Sequence, residues 1–145
     1  MAGTSIATFR SDLVAFMKGL GALDGVKITH GRPKDPPMEL IWLGNLQSAT
    51  GELHGFGSKR RTEHYEVELN FMTIKANDNP SRAEERAVAL GDAVQDALQN
   101  DPLVGSTAIK ACYVAEYELT TFPHDKGWMS IYTLTLDVLA RSTAS

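Results

Sequence analysis

Apolar and polar positions alternate most clearly over residues 62–75, where Tyr65, Val67, Leu69 and Phe71 are interleaved with His64, Glu66, Glu68 and Asn70. A period of two puts the first set on one side of a β-strand and the second set on the other. Two later segments repeat the pattern. Over 107–121, Ile109, Ala111, Tyr113, Ala115, Tyr117 and Leu119 share a face, which leaves Cys112 on the polar side as a small filler residue. Over 128–141, Trp128, Tyr132, Leu134, Leu136, Val138 and Ala140 share a face. The run Pro123-His124-Asp125-Lys126-Gly127 turns the chain between them, so the two read as an antiparallel hairpin.

Two segments carry the helical period instead. Ile6, Phe9, Leu13, Phe16 and Leu20 form one stripe over 5–20, with Thr4 or Ser5 as a cap and Gly19 and Gly21 as a stop. Ala83, Ala87, Leu90, Val94 and Leu98 form another over 82–99, opened by a capping box of Ser81 and Glu84 and closed by Asp101-Pro102. Short strands are expected over 26–30 and 38–45, on either side of a loop holding Pro33, Pro36 and Pro37. Residues 46–61, with Gly51, Gly55 and Gly57, read as a long loop, the kind that carries function or stays mobile. The element order is α-β-β-β-α-β-β over one domain, residues 1–145. Strands apolar on one face only call for helices on one side, which gives a two-layer α+β sandwich with a mostly antiparallel sheet.

Strand lengths bear on assembly. A strand of about 14 residues spans roughly 45 Å, whereas a helix of about 18 residues covers only ~27 Å. A sheet that outruns its helices leaves strand ends and edges open to pairing with another chain. Glu66, Glu68, Glu116, Glu118 and Asp137 fall on the polar side of the sheet and make it a concentrated negative surface, which repels DNA.

Composition narrows the function further. A net charge of -4 argues against a general nucleic-acid coat, which needs surplus cations. One cysteine in the chain allows no internal disulfide and suits a reducing compartment. The first ten residues lack a basic stretch followed by an apolar one, so no signal peptide is expected, and no apolar run approaches the ~18 residues that span a bilayer. The histidines, His30, His54, His64 and His124, lack metal-ligand spacing and read as loop or strand-surface residues. The glycines of 19–25 follow a helix, and Gly55-Phe56-Gly57 precedes a strand, so neither makes a phosphate cradle. No catalytic residue, cofactor or metal is expected. The run Lys59-Arg60-Arg61 at the end of the long loop is a solubilising tip or a contact with an acidic partner surface.

The layout of "GVKITHGRP", "ELIWLGN", "HYEVELNFMTIKA", "SRAEERAVALGDAVQDALQNDPLVG", "IKACYVAEYEL" and "YTLTLDVLAR" resembles the tail terminator and tail-completion proteins of long-tailed bacteriophages over nearly the whole chain. Its most characteristic part is the helix ending Ala97-Leu98-Gln99-Asn100-Asp101-Pro102-Leu103-Val104-Gly105 ahead of the final hairpin. The resemblance implies a virion protein that forms a hexameric ring. That ring docks on the head-proximal end of the tail tube, stops its polymerisation and offers a surface to the head–tail connector. DNA passes through the hole without specific binding, no membrane is involved, and assembly takes place in the host cytoplasm. Rival readings are a head–tail connector, a tail tube subunit, or, in a different class, a small ligand-binding α+β domain with a concave polar pocket.

Overall fold

The computed structural model describes residues 6–34, 37–44, 49–53, 60–76, 79–106 and 109–143. Helix α1 (Ile6–Lys18) is followed by a single 3-10 turn, Gly21–Leu23. Strands β1 (Lys27–Thr29), β2 (Glu39–Leu43), β3 (Ala49–Leu53) and β4 (Arg60–Lys75) come next. Helix α2 (Pro80–Asn100) and the strands β5 (Ile109–His124) and β6 (Gly127–Thr143) complete the chain. Six strands form one sheet in the order β1-β2-β4-β6-β5, with β3 beside β2 on the same side of β4. Every pairing is antiparallel except β1 with β2.

The fold is the expected α+β sandwich, with one more strand than the pattern indicated. Part of the 46–61 segment read as a loop is β3, whose backbone pairs Ala49 with Tyr65 and Leu53 with Arg61. Its sequence, ATGEL, is too short and too glycine-containing to show a period, and its place comes from the long ladder of β4 that it joins.

The helices cover one face of the sheet. Phe9, Leu13 and Met17 of α1 are fully buried with Tyr65, Val67, Leu69 and Phe71 of β4 and Leu134, Leu136, Val138 and Ala140 of β6. The rings of Phe9 and Tyr65 lie 6.2 Å apart, and those of Phe71 and Tyr132 6.3 Å. Phe16 and Leu20, expected on the α1 stripe, are only half-buried, and Val14 and Met17 take the inner positions.

The start of α2 also differs from the capping box. Asn79 is the cap: its Oδ1 accepts from the Ser81 backbone N–H at 3.1 Å and the Ser81 hydroxyl at 2.9 Å. Pro80 then occupies the first turn, where its missing N–H is no loss. The flank of α2 is clamped to β2 by Arg86, which donates to both Glu39 carboxylate oxygens at 2.6 and 3.1 Å, with Lys75 Nζ 3.8 Å away. The Arg86 hydrogen bonds hold the Glu39 carboxyl below its ordinary pKa.

Helix α2 sits close to the sheet at Gly91. A Cβ there would stand 2.4 Å from Cδ2 and Cε2 of Tyr132, a ring itself wedged against Phe71 and Tyr117. In an open helix Gly→Ala gains about 1 kcal/mol, but overpacking a core costs about 1–3 kcal/mol. The buried ring meets Phe71 and Tyr117 on its other sides, so the cost wins. Gly91→Ala is expected to lower stability by about 1–2 kcal/mol in urea unfolding. A variant as stable as the wild type would show that the helix can ride outward.

Candidate functional site

The last two strands are long. β5 has 16 residues and β6 has 17, so each runs for roughly 50 Å. The 21 residues of α2 cover only about 31 Å of that. Alongside α2, which does not reach over this edge strand, residues 115–120 of β5 are all exposed, with Tyr117 at 72% and Leu119 at 41%. Among the described residues β5 pairs with β6 alone, so its outer N–H and C=O groups form an open edge.

The faces of β5 are not those that strict alternation gives. Register shifts between Ile109 and Ala111 and between Val114 and Glu116 turn the strand over twice. A bulge adds one residue and so reverses which side the next residues take. Ile109, Cys112, Val114, Tyr117 and Leu119 therefore share the helix side with their partners on β6, while Ala111 and Tyr113 lie on the other. Cys112, read from sequence as lying on the polar face, is buried beside Val138. Burial, helped by the Asp137 carboxylate, pushes its thiol pKa up to about 12.

The five sheet carboxylates do come together. Cross-strand rows run Glu66–Asp137–Tyr113, Glu68–Thr135–Glu116 and Asn70–Thr133–Glu118, all on the side away from the helices. Glu66 directly opposite Asp137 is a like-charge pair that weakens an isolated sheet. Asp137 has compensation: the Tyr113 hydroxyl hydrogen-bonds to it, which raises the phenol pKa, and His64 Nε2 lies 3.7 Å away.

Beyond Asn70 this face changes character. Leu40, Met72, Ile74 and Met129 form a second buried cluster, flanked by Trp42 and Ile131. Arg32 lies over the Trp42 ring at 5.5 Å at this end. The polar face inferred from alternation is thus only half of the sheet's outer side. The sequence does carry the signal, since Met72 and Ile74 occupy the positions where the polar set of β4 should continue.

Of the basic run, Lys59 lies outside the described residues, as does His54. Arg60 and Arg61 belong to β4, with their backbones paired to Thr143 and Ser142, so they sit in the ladder and not in a loop. Among the described residues no cluster of three His, Cys, Asp or Glu side chains could hold a metal ion, and no helix is long and apolar enough to cross a membrane. Two open troughs lie along the seam between α2 and β5. One, of about 400 Å³, is lined by Glu84, Glu85, Val88, Ala89, Asp92 and Leu119. The other, of about 380 Å³, lies between Gln95 and Leu98 on the helix and Cys112 to Val114 on the strand. Carboxylate pairs on the helix are plain in the sequence, but only the fold sets them beside β5.

No family model matches the chain, and neither does any curated protein. Among solved structures, a chain from the virion of a native gene transfer agent particle superposes with a TM-score of 0.68 at 16% identity, covering 96% of this chain and 99% of that one. The two share a fold. Identity this low carries no residue-by-residue roles, but the likeness runs over nearly the whole of both chains.

The buried thiol gives a pH test of the bulged register. An unfolded Cys titrates near 8.5, whereas Cys112 in the fold titrates at about 12. Above pH ~8.5 the unfolded chain releases a proton that the native chain keeps, so stability falls as pH rises between these values. Relative to Cys112→Ala, the wild type is expected to lose about 2 kcal/mol between pH 8 and pH 10.5 in urea unfolding. Equal losses in the two proteins would mean that the thiol is exposed and the register unbulged.

Proposed function

We propose that this chain is a structural, non-enzymatic protein of a phage-type virion, and within that class a tail terminator. The observation that carries the reading is the fold shared, end to end, with a chain of a gene transfer agent virion. The open edge of β5 and the sheet side free of helices support assembly over action as a closed monomer.

In this reading six copies form a ring on the head-proximal end of the tail tube. One ring face complements the last tube ring, and the other lacks that shape, so tube growth stops by differential binding. The outer face then meets the head–tail connector. Glu66, Glu68, Glu116, Glu118 and Asp137 face the hole, where a negative wall keeps passing DNA from adhering. Lys59, Arg60 and Arg61 contact a neighbouring protein with an acidic surface. Assembly occurs in the host cytoplasm, and the mature protein resides in the virion at the top of the tail.

Negative-stain microscopy of the purified protein mixed with tail tubes tests this. Single rings at one tube end are the expected outcome. Long tubes formed by this protein alone would make it a tube subunit, and binding to isolated connectors with none to tubes would make it a connector component. Failure to bind either would remove the virion assignment.

A further inference from the structure

Charge is divided unequally across the sheet. From α1 through the connection after β1, over residues 6–34, the cations Arg10, Lys18, Lys27, Arg32 and Lys34 face only Asp12 and Asp24, a net of +3. Of these two carboxylates, Asp12 accepts from the Ser106 hydroxyl at 2.6 Å. From α2 through β5, over residues 80–124, seven carboxylates face Arg82, Arg86 and Lys110, a net of -4. Arg86 is already engaged by Glu39. The strand order places β1 at one margin of the sheet and β5 at the other, so the protein has a positive margin and a negative one. Lys27, Arg32 and Lys34 are exposed, as are Glu85, Asp92, Glu116 and Glu118.

The negative margin also has a shape. The trough between α2 and β5 has an apolar floor of Val88, Ala89 and Leu119 and a rim of Glu84, Glu85 and Asp92. Tyr117 stands beside it at 72% exposure, and the unpaired backbone of β5 forms its outer wall. A partner that fills this seam needs cations at its border and an extended segment to lie along β5. The positive margin, with Lys27 on β1 and Lys34 just beyond it, has both.

We infer that copies of this chain meet margin to margin, the positive β1 side of one against the acidic α2–β5 seam of the next. This rests on the ring proposed above and specifies which surfaces close it. Matching like with like would set acid on acid or base on base, so the charge division disfavours a two-fold dimer. It favours the head-to-tail contact, which repeats around a ring. Because the contact is between exposed charges, salt screens it over about 10 Å at 0.1 M.

A charge swap tests the inference. Lys27→Glu with Lys34→Glu makes both margins acidic, and Glu85→Lys with Asp92→Lys moves the second margin towards basic. Sedimentation velocity at low salt is expected to show assembly of the wild type, at least tenfold weaker assembly of each variant alone, and recovery in an equimolar mixture. Far-UV circular dichroism confirms that each variant is folded. Wild-type assembly is also expected to weaken as salt rises, a measurement that needs no variant. Undiminished assembly of the single variants, no recovery on mixing, or salt-independent wild-type assembly would overturn the margin contact and leave the ring reading standing. A wild type that stays monomeric at every salt and concentration would overturn the margin contact, and one that also forms no rings on tail tubes would overturn the ring itself.

Discussion

From Arg60–Thr143 at one end to Lys75–Trp128 at the other, β4 and β6 pair without a slip. Much of the remaining architecture hangs on this ladder. It fixes which side chains of the two central strands meet the helices, because one residue of slip would send Tyr65, Val67, Leu69 and Phe71 to the opposite side. It gives β2 and β3 a common rail, one pairing with residues 69–73 and the other with 61–65. It also makes the sheet longer than any helix the chain contains. The excess length, and with it the open edge, follows from the same regularity that builds the core.

β5 is the exception to that regularity, and its two bulges decide its chemistry. Without them Cys112 would join Asp137 on the outer face, and with the first alone the carboxylates of β5 would turn inward against α2. With two shifts the strand buries Cys112 and still presents Glu116 and Glu118 beside Thr135 and Thr133. Two changes of face cancel, which is why simple alternation assigned the acidic residues to the correct side while misplacing the cysteine. A bulge leaves no mark in the apolar period when the residues around it are small or mixed, as Ala111, Cys112 and Ala115 are.

What was legible in the sequence was therefore what depends on period alone. The helices, the three long strands and the hairpin follow from spacing, as does the layering. The hidden parts depend on contacts between distant segments. β3 is set by its partner and not by its own five residues. The second apolar cluster needs Leu40, Met72 and Met129 brought together from three strands. The α2 cap went to Asn79, with Ser81 as its donor, because Pro80 moves the helix start upstream of the expected box. The seam between α2 and β5 exists only once the helix is laid beside the strand.

The outer side of the sheet carries two chemistries, and the division has a physical reason. At the Leu40 end, Leu40, Met72, Ile74 and Met129 from three strands pack into a buried apolar cluster, and Arg32 lies on the flanking Trp42. At the Glu66 end, a like-charge row such as Glu66 with Asp137 is tolerable only where water or a donor such as the Tyr113 hydroxyl relieves it. Burying this face under a protein partner without cations would strand its five carboxylates in a poor solvent, at a cost of several kcal/mol per ion. Any assembly of this chain must therefore leave the acidic end wet or meet it with cations. A ring around an aqueous hole satisfies the first condition, and contact through the two oppositely charged margins leaves the row uncovered.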